Sequence, residues 1–165
     1  MLDTIHSYFR TRKPDHKMLK DTLFILVGGA NNYLHKAVML KQEYPSLRKN
    51  KHRLRGEVTQ AVGQTMGDLR RMVDLLYKKG AKNILVLSLS DMPKTPYAKI
   101  HHLEVALRLL SVTHNKQLRN FLRKKRKKVR SSNDLDLKLI WMNVIPFVQE
   151  LIRHKKEYGF SKLFE

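Results

Sequence analysis

The chain has 165 residues, no cysteine, 42% hydrophobic residues, and 34 Lys plus Arg against 14 Asp plus Glu, a formal net charge of +20. This length suits one domain with a real core, and the lack of cysteine excludes disulfides, thiolate metal sites and cysteine nucleophiles. No apolar stretch approaches the roughly 18–20 residues of a membrane span, and Met1–Tyr8 lacks the basic start and apolar centre of a signal peptide. The chain is therefore expected to be soluble and unprocessed, with its compartment left open.

A first helix is predicted at about Asp3–Arg12, closed by a Pro14-Asp15 turn. Three apolar strand candidates follow, Thr22–Val27, Asn83–Leu89 and Leu137–Met142, each succeeded by a segment of helical period. That alternation predicts an α/β domain with a parallel sheet and crossover helices. Tyr33–Arg55, with Pro45, Asn50 and many bases, predicts a short helix and then an exposed basic loop. Val58, Ala61, Val62, Thr65, Leu69, Met72, Val73 and Leu76 fall at three- and four-residue spacings, one face of a helix that Gly80 should stop. His102 to about Lys127 predicts another helix, burying Leu103, Ala106, Leu107, Leu110, Leu118, Phe121 and Leu122. The turn cluster Ser131-Ser132-Asn133-Asp134 introduces the third strand. A last helix runs from Val144 through Pro146 to about Glu157, with Gly159 past its end. No repeat and no second domain is visible.

Chemistry concentrates where the first strand ends, in L-F-I-L-V-G-G-A-N-N-Y-L from Leu23 to Leu34. Ligands of parallel sheets sit beyond the carboxyl ends of strands. Gly28 and Gly29 allow a sharp turn and a close approach, and the Asn31 amide could donate to a developing oxyanion. An ordinary strand-to-loop turn would use the same residues. Ser90 and Asp91 after the second strand could line the same crevice, or merely cap the strand. Asp3-Thr4-Ile5-His6 reads as a surface pair on a helix, and Gly67-Asp68-Leu69 lies inside a predicted helix. His101-His102 would diverge by about 100 degrees on a helix, and no metal site is expected. Trp141 is expected in the core.

The densest basic run is Arg119–Arg130, eight bases in twelve residues, and without it the chain still carries +12. A spread excess suits a solvated surface as well as a face for nucleic acid or anionic membrane. Lys124, Lys125, Arg126, Lys127 and Lys128 are the candidates for that role, although no aromatics interleave with them as stacking on single strands requires.

Val27-Gly28-Gly29-Ala30-Asn31-Asn32-Tyr33-Leu34 resembles the G-x-N-D block of GDSL or SGNH ester hydrolases, particularly bacterial lipase-like members. Gly80–Val86, Leu89–Pro93, Thr95-Pro96, His114-Asn115 to Leu118 and Glu157-Tyr158-Gly159-Phe160 are similar to later blocks in the family's order, over nearly all of the chain. The resemblance implies a flavodoxin-like three-layer α/β/α sandwich, serine-based hydrolysis of carboxylic esters, commonly lipids, and no cofactor. It implies an oxyanion role for Asn31 and Gly29, with Asn32, Ser90 and Asp91 near the substrate. Asn32 departs from the family's aspartate. No Gly-Asp-Ser occurs, and the one D-x-x-H is near the start, where the family has it after the last helix. The expectation is a single partial domain, 1–165, lacking the nucleophile strand and the histidine block. Such a chain should have little activity by itself and could reassemble with the missing flanking segments; family members are often exported.

Overall fold

The structure, a computed structural model, describes residues 2–46, 49–131, 134 and 136–160. In chain order the elements are α1 (Leu2–Arg12), α2 (His16–Asp21), β1 (Leu23–Leu26), α3 (Ala30–Glu43), α4 (Lys51–Lys78), β2 (Asn83–Leu87), a 3-10 turn (Met92–Lys94), α5 (Pro96–Ile100), α6 (Glu104–Ser131), β3 (Lys138–Met142) and α7 (Ile145–Arg153). The strands form one parallel sheet in the order β1-β2-β3. Ile25 pairs with Leu85, and Leu85 with Ile140, so the chain is mixed α/β with crossover helices as the sequence predicts.

The helix starts and stops follow local chemistry. The Asp15 carboxylate accepts the Met18 N–H at 2.7 Å and caps α2, while Thr95 caps α5 ahead of Pro96. At the end of α4, Gly80 has φ +103, its N–H donates to the Tyr77 carbonyl, and the Ala81 N–H donates to the Leu76 carbonyl. Those two bonds satisfy carbonyls the helix would otherwise leave open. The basic loop expected up to Arg55 ends earlier, and residues 51–55 form the start of α4. Leu54 is fully buried, one step before Val58 and Val62 on the same stripe, and that burial outweighs the local charge. Ser132 and Asn133 of the predicted turn cluster lie outside the described residues.

The core lies on one side of the sheet. Leu26, Ile84, Val86 and Leu139 face α4 and α6 and are buried with Leu69, Leu76, Leu107, Leu110 and Leu118. On the other side Ile25, Ile140 and Met142 are exposed, and Leu85 and Leu87 are half-buried. Both outer strands also have an open edge. Beside β1 lies an apolar trough of about 390 Å³ whose walls include Ile5 and Tyr8 of α1 and Met72 and Leu76 of α4. Trp141, expected in the core, is only half-buried: its ring lies under the Arg119 guanidinium at 5.3 Å, because β3 is an edge strand with little packed above its end.

No helix among the described residues is long and apolar enough to cross a membrane.

Candidate functional site

Beyond β1 the chain turns through Gly28 and Gly29 into α3. Gly29 occupies the N-cap position with φ +109 and ψ −21, a left-handed conformation that glycine alone adopts without strain. Asn31 and Asn32 then fall in the first turn, where backbone N–H groups lack intrahelical partners and the helix dipole is positive. Both side chains are exposed, and neither amide has a hydrogen-bond partner among the described residues. They open on a cavity of about 780 Å³ shared with His35, Met39, Gln60, Gln64, Thr65 and Asp68. Its wall carries the Lys36–Glu57 ion pair at 2.7 Å and the Asp68 carboxylate, whose partner Arg71 lies outside the lining, so the space is polar.

The turn is held from below. The Tyr33 hydroxyl meets Nδ1 of His114 at 2.8 Å, with the rings edge to face at 5.4 Å, and both residues are wholly buried. A Cβ on Gly29 would lie 3.1 Å from Thr65 Cγ2 and 3.3 Å from each of the His114 and Tyr33 rings. Burial pushes the Tyr33 hydroxyl up to about 12, partly offset by its bond with Thr65, and pushes His114 down to about 4. Both are neutral at physiological pH, so the pair is a structural clamp and not an acid–base couple. The His114 Nε2 has no partner among the described residues. Tyr33→Phe would leave Nδ1 unpaired as well, and a loss of about 1–3 kcal/mol is expected in urea unfolding.

A second tether fixes the end of β2. Asn115 accepts the Leu89 N–H at 2.8 Å and donates to the Leu89 carbonyl at 3.0 Å, imitating one rung of a sheet. Ser88 is buried; its Oγ accepts the Val144 N–H at 3.0 Å and lies 3.3 Å from the Asn143 amide oxygen, so it is committed to linking β2 and β3.

Ser90 and Asp91 do not join the cavity of Asn31. They line a separate space of about 530 Å³ against Ile145, Val148 and Ile152 of α7, and Asp91 is ion-paired with Lys94 at 2.9 Å. The two spaces share no lining residue. Among the described residues no group of three or more His, Asp or Glu could hold a metal ion. His101 and His102 sit in a turn, not on the helix expected from His102, and α6 begins at Glu104.

The basic candidates are spread around α6. Lys125 is ion-paired with Asp74 and lies 4.9 Å from the Tyr77 ring centroid, Arg126 faces β3, and Lys124, Lys127 and Lys128 are exposed.

The sequence matches no protein-family model and no curated protein.

Proposed function

We propose that this chain carries the oxyanion-stabilising part of an SGNH-type carboxylic ester hydrolase, with a flavodoxin-like three-layer sandwich as the completed fold. The observation that carries the reading is the Asn31 amide, exposed and unbonded on a first helical turn just beyond a parallel strand, beside a left-handed glycine. An ester carbonyl placed there would meet the Asn31 amide and the free N–H groups of the turn as negative charge develops on its oxygen.

The attacking serine and the histidine that shuttles its proton are assigned to segments outside this sequence, which has no Gly-Asp-Ser. The open edge of β1 supports that assignment. The β1 backbone edge is free to pair with a further strand, and Leu23, Ile25 and Val27, 51%, 56% and 57% exposed on the uncovered face of the sheet, leave a surface that a further layer of helices would cover. A parallel strand added at that edge would end beside Gly28, where a nucleophile must stand to reach a carbonyl held by Asn31. No cofactor is needed, and the substrate class is an ester or lipid.

The test is reconstitution. A segment bearing a Gly-Asp-Ser strand and one bearing a D-x-x-H block are co-expressed with the chain and assayed on a short-chain p-nitrophenyl ester. Turnover is expected only with both segments. Robust turnover by the 165-residue chain without them, or none with both in a folded assembly, would reject the reading.

A further inference from the structure

We propose that the flank of α6 above edge strand β3 is a binding groove for single-stranded nucleic acid. Lys116, Arg119, Arg123, Arg126 and Arg130 recur at alternating spacings of three and four, which puts all five on one stripe of the helix. At 1.5 Å per residue the stripe is about 21 Å long. All five are exposed, and none is ion-paired among the described residues.

The stripe overlooks a concavity. Lys116, Arg119 and Arg123 line a space of about 560 Å³ with Trp141, and Arg126 and Arg130 line one of about 310 Å³ with Lys138. Both lie between α6 and β3, the first toward the carboxyl end of the strand and the second toward its start. The lone carboxylate lining either is Asp134, which accepts from Lys82 at 2.7 Å and from the Tyr77 hydroxyl at 3.0 Å. The Lys82 ammonium holds that carboxyl below its ordinary range, so it stays committed to that partner.

The groove matches a polyphosphate chain in three respects. Guanidinium groups fork onto phosphate oxygens, and four of the five cations are arginine. The half-buried indole of Trp141 has its N–H buried and lines the space beside Arg119, so the exposed part of the ring and the adjoining guanidinium form the surface on which a base can stack. Asn120 supplies an amide that can donate and accept at base edges, and Asn143, whose oxygen accepts the Ile145 N–H, can donate from its amide nitrogen. An anionic bilayer fits less well: the apolar stripe of α6 is buried in the core and cannot insert, and a flat surface cannot follow a concave flank. Neither space contains Asn31, so this inference stands apart from the ester-hydrolase reading.

The experiment titrates the full chain with a dye-labelled thymidine oligonucleotide of about 20 residues at several salt concentrations, alongside phosphatidylserine vesicles. Five phosphate contacts predict a log–log salt slope of about −3.5, and the triple variant R119Q/R123Q/R126Q should reduce its magnitude by about 2. The exposed control triple R12Q/K17Q/K78Q, of equal charge change on other elements, should leave the slope nearly unchanged. Emission from Trp141, the one tryptophan in the sequence, should be quenched on saturation. If the triple fails to fold, R123E alone should weaken binding at least about fivefold. Equal losses from both triples, unquenched Trp141 emission, or binding to vesicles in preference to the oligonucleotide would overturn the proposal.

Discussion

Gly29→Ala should destabilise the protein by about 2–4 kcal/mol, more than Gly80→Ala. Two costs add. The backbone at φ +109 forces an L-residue into the left-handed region, a strain of about 1–3 kcal/mol. The new methyl then meets Thr65, His114 and Tyr33 at 3.1–3.3 Å, closer than ordinary contact, so it must displace the hydrogen-bonded Tyr33–His114 pair or push Thr65 toward the Asn31 cavity. Gly80 separates the two effects. It shares the left-handed conformation at φ +103, but its nearest neighbour for a Cβ is the His16 ring at 3.4 Å, an ordinary contact. Gly80→Ala should therefore cost only the strain. Urea unfolding of both variants decides it: equal losses would show that the clamp under Gly29 is loose.

Acid should weaken the fold through His114 before the carboxylates titrate. Unfolded, its imidazole binds a proton near the ordinary 6.5; folded, burial holds it at about 4. Between those values the unfolded chain carries the extra proton, so stability falls as pH falls through that window and is fully retained above it. The whole interval corresponds to about 3 kcal/mol, of which about 2 should be lost between pH 6.5 and about pH 5. NMR titration of the His114 ring should show no protonation above about pH 5. A His114 that titrates near 6.5 in the folded protein would mean that the cavity beneath Gly29 admits water.

These two expectations concern residues whose partnership the sequence only half discloses. The strands were legible to within two residues because short apolar runs bounded by glycine, aspartate and proline have few other uses. Apolar runs of that kind also suggest strands covered on both faces, whereas Ile25, Ile140 and Met142 are exposed here; composition describes a face but not what covers it. The position of Asn31 followed from its place after β1. The clamp did not, although His114 falls midway between Leu110 and Leu118 on the buried stripe of α6. A polar residue at an apolar position was the available signal, and its partner 81 residues away was not. The sequence leaves Ser90 and Asp91 either lining the Asn31 crevice or capping their strand, and they line a separate space. Adjacent strand ends do not guarantee a shared cavity.

The basic run teaches the same lesson from the surface. Counting charges along Arg119–Arg130 marks a dense segment, but a helix distributes those charges around its axis. Lys125 is spent on Asp74, and the stripe that faces β3 begins before the run, at Lys116. Trp141, absent from any interleaving in sequence, is brought beside Arg119 by the parallel register of β3.

In the proposed function, the Gly29 turn presents the Asn31 amide to an ester carbonyl. Asn31→Ala is made in the chain reconstituted with the Gly-Asp-Ser and D-x-x-H segments and read as kcat and KM separately on a short-chain p-nitrophenyl ester. A donor that acts on the developing oxyanion should, when lost, lower kcat by about 10²–10³-fold with KM changed by no more than about twofold. A variant that folds, assembles and turns over at the unmodified rate would contradict the assignment.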